Sequence, residues 1–241
     1  INILNALRNI KKPVYSVFIT SDKCYDNVEW SWGYRETDKL GGPDPYSGSK
    51  GAAEIAISSF QRSFFPEDGN IKLAVGRAGN VIGGGDWAED RIVPDCMKSS
   101  SKKKHTIIRN PSSTRPWQHV LEPLSGYLLL AKNLYERKKI HGEAFNFGPN
   151  HNLNHTVKDL IIEMSKNWEN IKWKILSNNS KEKESNLLKL NCDKASHILN
   201  WTPKMTFEES AFATVEWYKT FYSSKNRIKE LTLSQIENFE K

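Results

Sequence analysis

Apolar residues Ile1, Leu4, Leu7 and Ile10 recur at helical spacing and predict an opening helix over residues 1–10. A β-branched and aromatic run predicts a strand at 14–20. Its apolar stretch stops abruptly at Thr20-Ser21-Asp22-Lys23, which puts a hydroxyl, a carboxylate and an ammonium side by side at a strand end. A polar loop follows to Pro45. The pattern then predicts a helix at 46–65, a strand at 71–78, a Leu-rich helix at 120–135 and a short strand at 144–147 closed by Gly148-Pro149. Strand and helix in alternation predict a parallel sheet covered by helices. Residues 83–118 read mostly as loop, with a short helix near 91–100 and a strand near 106–109. Later come a helix at 156–168 with Thr156 as its N-cap, a strand at 172–176, a polar loop at 177–186, and helices at 193–199 and 207–222. Residues 223–241 are polar and read as a loosely held tail.

The 241 residues suffice for one large or two small domains, and 38% hydrophobic content makes wholesale disorder a poor description. No apolar run reaches the length of a membrane span, and no signal peptide opens the chain. The odd number of cysteines, Cys24, Cys96 and Cys192, widely spaced, argues against a disulfide framework and fits a reducing cytoplasm. The net charge of +7 is spread over short basic runs at 102–104, 137–139 and 181–183. With no stacking aromatics among them, these runs read as solvated surface rather than a nucleic-acid footprint. A modest positive excess also suits an anionic small substrate.

Tyr46 and Lys50 are four residues apart, so on a helix they share a face. A neighbouring ammonium lowers a tyrosine's pKa toward the range of a useful base. Alone the pair is weak, because any exposed helix can carry it by chance. Here a strand ending in Ser21 precedes it, and a strand leading into "GRAGNVIGGG" follows it. This order resembles the extended short-chain dehydrogenase/reductase family. The stretches "TSDKCYDN", "YSGSKGAAE", "GRAGNVIGGGDWAEDRIVPD", "RPWQHVLEPLSGYLLLA" and "GEAFNFGP" resemble its CDP-glucose 4,6-dehydratase branch, over about residues 1–220.

The resemblance implies a partial doubly wound, Rossmann-like α/β sheet with a smaller C-terminal α/β substrate-binding domain. It implies an NAD-binding part at 1–80 and 119–148 and a nucleotide-sugar part at 81–118 and 149–241. The implied reaction is NAD-dependent dehydration of CDP-glucose: oxidation at C4, loss of water across C5 and C6, and hydride return to C6. It belongs to deoxysugar and O-antigen biosynthesis. The implied roles are Tyr46 as acid/base, Lys50 on the phenol and the nicotinamide ribose, Ser21 on the sugar oxygen and Asp22 as acid for the C6 hydroxyl. Thr20 and Ala78 join the cofactor contacts. Asn80 is assigned to the sugar or its phosphate, Arg91 to the nucleotide side, and Arg115 to the diphosphate, whose oxygens a guanidinium matches bidentately. The implied partners are the nucleotide-sugar and, for the complete protein, further copies of itself, with no nucleic acid or membrane partner.

Lys23 stands where dTDP-glucose relatives carry a glutamate. A lysine serves as the C5 base only if burial or neighbouring cations lower its pKa. Otherwise it stays charged and stabilises the enolate, and the residues leave both roles open. Gly83-Gly84-Gly85 is not a Walker loop, since no Gly-Lys-Ser/Thr follows; a tight backbone path beside the ligand is expected of it. His151 and His155 are four apart with no third ligand nearby, which argues against a metal site. No Gly-rich dinucleotide turn follows a strand in this sequence. The reading is therefore of a chain lacking its N-terminal cofactor half, with an open edge at residues 14–20 and little activity of its own. The alternatives are another nucleotide-sugar 4,6-dehydratase, a 4-epimerase, or an inactive remnant.

Overall fold

A computed structural model describes residues 1–136, 139–150, 154–175 and 187–241. The predicted loop at 177–186, His151 and most of two basic runs lie outside the described residues. In chain order the elements are α1 (Asn2–Arg8), β1 (Val14–Ile19), a 3-10 turn (Asp22–Cys24), α2 (Pro45–Phe64), β2 (Ile71–Ala78), β3 (Val81–Ile82) and α3 (Ile92–Ser101). There follow β4 (His105–Ile108), β5 (Thr114–Arg115), β6 (Gln118–His119), α4 (Leu121–Tyr135), β7 (Ala144–Phe147), β8 (His155–Thr156) and α5 (Val157–Asn167). The last elements are β9 (Lys172–Ile175), α6 (Asp193–Leu199), α7 (Phe207–Ser223), a 3-10 turn (Lys225–Arg227) and α8 (Ile228–Glu240).

The chain divides into two compact units. The first comprises Ile1–Gly79, Pro123–His151 and Lys189–Thr202. Its sheet is parallel, in the order β1-β2-β7, with Val14 opposite Ile71 and Ile19 opposite Gly76. Both faces are covered, as a parallel sheet requires. On one face Leu73 and Val75 bury against Leu4 and Leu7 of α1 and Ile57 of α2. On the other, Ala74, Phe145 and Phe147 bury against Leu130 and Leu134 of α4 and Leu199 of α6. The segment 189–202 thus belongs to this unit, not to the substrate part assigned from sequence. Ala195, Leu199 and Trp201 complete the core under β7, a contact that no local pattern announces.

The second unit comprises Asn80–Glu122, Asn152–Leu188 and Pro203–Lys241. Its strands form short pairs, β3 with β6 and β4 with β9 in parallel, β5 with β8 antiparallel. The stretch expected to be mostly loop, 83–118, therefore holds β5 and the first residue of β6 as well, each element too short for its sequence to show a period. Helices α3, α5 and α7 bury Met97, Leu160, Met164, Val215 and Tyr218 in one core. Both α5 and α7 begin with a capping box, Thr156 with Asp159 and Thr206 with Glu209.

The expected tail is instead mostly helix. Ile228, Leu231, Thr232, Gln235, Ile236 and Phe239 of α8 are half-buried, at the spacing of one helix face. Trp217 Nε1 donates to Thr232 Oγ1 at 3.0 Å, and Gln235 Nε2 donates to the Ala213 carbonyl at 3.0 Å. The Lys, Glu and Ser residues interleaved along this face mask its apolar stripe in a composition-based reading.

Candidate active site

Strand β1 hands the chain to the 3-10 turn at Ser21, whose backbone is extended. Ser21 Oγ caps that turn by accepting from the Lys23 amide at 3.2 Å, and it donates to Asp22 Oδ1 at 2.9 Å. Asp22 is 3% exposed, while Lys23 is half-buried. Burial pushes the nearby Tyr127 phenol up to about 12, with the Asp22 charge adding to the effect. The polar strand end thus delivers a buried carboxyl.

Helix α2 starts at Pro45, with Asp44 as its N-cap accepting from the Ser47 amide at 3.0 Å. Asp before Pro at the first helical position is a strong start signal. The Ser47 hydrogen bonds hold the Asp44 carboxyl below its ordinary range, and the Lys23 charge contributes in the same direction. Tyr46 and Lys50 lie on the first turns, with Lys50 Nζ 5.6 Å from the Tyr46 ring centroid. Tyr46 is 56% exposed, so its phenol is accessible. Gly51 lets this helix approach the turn closely: a Cβ there would meet the Gly41 nitrogen at 2.7 Å and the Cys24 carbonyl oxygen at 3.3 Å.

A buried polar network lies beneath these groups. The Arg77 guanidinium forks onto Glu54, Nε to Oε1 at 2.8 Å and Nη2 to Oε2 at 3.0 Å. Its Nη1 donates to Tyr25 Oη at 2.8 Å and to the Glu36 carbonyl at 3.1 Å. Thr20 Oγ1 donates to Glu54 Oε1 at 2.5 Å. Tyr25 Oη donates to Asn146 Oδ1 at 2.7 Å, and burial raises that phenol, which keeps it a donor. Sequence reasoning missed this network. The signal available was a charged residue, Arg77, inside a strand buried along most of its length, which calls for a partner.

The first unit therefore carries Thr20, Ser21, Asp22, Lys23, Tyr46, Lys50 and Ala78, the last closing β2 at 8% exposure. Asn80, Arg91 and Arg115 belong to the second unit. There the Asn80 carbonyl accepts from the Gln118 amide at 3.2 Å. Arg91 occupies the N-cap position of α3 without a side-chain capping bond and pairs with Asp86 at 3.2 Å on the surface, and Arg115 Nη1 donates to the Thr114 carbonyl at 2.8 Å. In the Gly83–Gly85 run a Cβ on Gly84 would meet the Trp217 ring at 2.0 Å, and one on Gly83 would meet Val120 at 2.7 Å. Close packing explains Gly83 and Gly84, and a φ of +85° explains Gly85. Trp87 packs on α7, 4.8 Å from the Phe221 ring and 5.3 Å from that of Tyr218. His155 stacks on Phe207 at 3.8 Å, and no metal-ligand cluster occurs among the described residues. Burial lifts the Cys24 thiol to about 12 and the Cys96 thiol to about 11, which leaves both unreactive.

A parallel sheet with helices on both faces, and polar groups gathered at the carboxyl ends of its strands, defines a Rossmann-like α/β protein. The chain belongs to the GDP-mannose 4,6 dehydratase family, whose family model matches residues 1–213. It is 43% identical over 233 residues to the CDP-glucose 4,6-dehydratase of Salmonella typhimurium, an alignment covering 95% of this chain and 65% of that protein's length. To the CDP-paratose 2-epimerase of Salmonella typhi it is 23% identical, over 90% of this chain and 68% of the relative. Among solved structures, it superposes on the dTDP-glucose 4,6-dehydratase of Bacillus anthracis in complex with NAD with a TM-score of 0.72 and 20% identity, covering 95% and 67% of the two chains. The UDP-glucuronic acid 4-epimerase of Bacillus cereus gives a TM-score of 0.77 at 21% identity, covering 91% and 66%. These structures share the fold.

Proposed function

We propose that the complete protein containing this chain converts CDP-glucose to its 4-keto-6-deoxy product with NAD as cofactor. The observation that carries this reading is buried Asp22, held by Ser21 next to the turns that bear Tyr46 and Lys50. The Tyr-Lys pair alone suits many oxidations of a sugar hydroxyl; a shielded acid at the same strand end suits elimination as well. The cytidine base and glucose rest on the 43% identity to the Salmonella typhimurium enzyme.

The donor set fits the nicotinamide end of NAD, with an accessible phenol and an ammonium at the carboxyl edge of the sheet. Tyr46, Lys50, Thr20 and Ala78 would hold it there. When bound, NAD supplies the acceptor and later the donor of hydride. The chain's own groups handle the protons. Tyr46 takes the proton of the C4 hydroxyl, with the Lys50 ammonium near its ring and Ser21 holding the sugar oxygen. Asp22, at the strand end beside Ser21, gives a proton to the departing C6 hydroxyl. Lys23 acts on the elimination half, at C5 or on the enolate beside it. Asn80, Arg91 and Arg115 contact the nucleotide-sugar. The enzyme works in the cytoplasm, feeding deoxysugars to lipopolysaccharide assembly.

The test is incubation of the complete gene product with CDP-, dTDP- and GDP-glucose. A 4-keto-6-deoxy product from the CDP sugar is expected; C4 epimer without loss of water would support the epimerase reading instead. Lys23→Ala is expected to oxidise C4 and accumulate NADH transiently without forming the dehydrated product. Full turnover by this variant would remove Lys23 from the mechanism.

A further inference from the structure

Glu54 and Arg77 are 4% and 3% exposed, and no proton transfer in the proposed reaction uses either. A buried ion pair is weak evidence for stability, since its desolvation cost rivals its attraction. What distinguishes this one is where it reaches. Glu54 lies one turn beyond Lys50 and two beyond Tyr46, within the buried stripe of α2 that includes Ser47, Gly51 and Ile57. The same carboxylate accepts from Thr20, the residue preceding Ser21 and Asp22. Arg77, from the end of β2, also holds Tyr25, the residue after the 3-10 turn.

One guanidinium–carboxylate fork therefore ties together the helix that bears Tyr46 and Lys50 and both ends of the segment that bears Ser21, Asp22 and Lys23. A fork has a fixed plane and two bonds, so it sets orientation as well as distance. We infer that Glu54 and Arg77 are positioning residues, which hold the Tyr46–Lys50 turns of α2 in register with the strand end at Ser21–Asp22. This rests on the reading of those residues as the reaction site.

The decisive variant is the double replacement Glu54→Gln/Arg77→Met in the complete gene product. It removes both charges at similar volume and leaves a side-chain amide oxygen to accept from Thr20, so no buried charge is stranded. The expected result is a melting temperature close to wild type with kcat lowered about 10- to 100-fold and KM nearly unchanged, the signature of misplaced reacting groups. Amide hydrogen exchange should quicken at residues 47–50 and stay unchanged at 55–64. A double variant that keeps kcat within about twofold of wild type, with unchanged exchange at 47–50, overturns the inference. Should the double variant not fold, Arg77→Lys keeps the charge but loses the fork. The same split between kcat and melting temperature is expected of it, and wild-type kcat would again overturn the inference. If the wild-type protein dehydrates no nucleotide-sugar, the functional reading fails on its own, and hydrogen exchange still decides whether the pair orders the first turns of α2.

Discussion

His119 closes β6 with only 2% of its surface exposed, and burial holds its imidazole down to about 4. An unfolded histidine titrates near 6.5. Between these values the unfolded chain binds the extra proton, so stability rises with pH across that window. The contribution is complete above about pH 6.5, is lost as pH falls, and levels off below about 4; it amounts to about 3 kcal/mol. His119→Gln is expected to lose less stability than wild type between pH 7 and pH 4.5, measured by urea denaturation at each pH. An equal loss in both would show that His119 is not held neutral. At this scale the sequence was informative about Tyr46, Lys50 and the Ser21–Asp22 pair, because their spacing is local. It gave no partner for Arg77: Glu54 is 23 positions away, and their pairing exists only when α2 docks beside β2.

Helix α2 and the turn before it meet because Gly51 has no side chain to keep them apart. Gly51→Ala would force a methyl against the Gly41 backbone, which cannot give way as a flexible side chain can. The expected cost is about 1–3 kcal/mol. In the complete protein, kcat should fall more than the stability loss explains, because the displaced turns carry Tyr46 and Lys50. Chemical denaturation and steady-state kinetics on the same preparation check both halves. Element ends were the most legible part of the chain: the helix expected at 46–65 runs from Pro45 to Phe64, and Thr156 caps α5 as its sequence predicts. Replacing that cap, Thr156→Ala, should cost about 1 kcal/mol. Its partner Asp159, held below the ordinary carboxylate range by the Thr156 amide and hydroxyl, makes the loss greatest at neutral pH and smaller once acid protonates it.

The two units differ in how their cores are made. The first is a sheet with both faces covered, and its edge strand β1 pairs with β2 alone among the described residues. The second relies on helices, and α8 completes it by covering Trp217 and the Ala213 carbonyl in the middle of α7. Removing residues 228–241 should cost about 2 kcal/mol from lost partial burial and hydrogen bonds. Tryptophan emission should shift red as Trp217 meets water. An unchanged melting temperature and emission would mean that α8 contributes no stability. No helix among the described residues is long and apolar enough to cross a membrane.

The sequence by itself determined the order of strands and helices in the first unit, most of their ends, and the residues with reactive groups at one strand end and one helix start. Those features depend on neighbours a few positions away, which period and capping chemistry record directly. Tertiary structure alone decided that segment 189–202 returns to the first unit, that residues 228–240 form a helix, that Gly83 and Gly84 are closely packed, and that Asp22 is buried. Each of these depends on a surface supplied by a distant part of the chain, and burial by a distant surface leaves no period in the segment it covers.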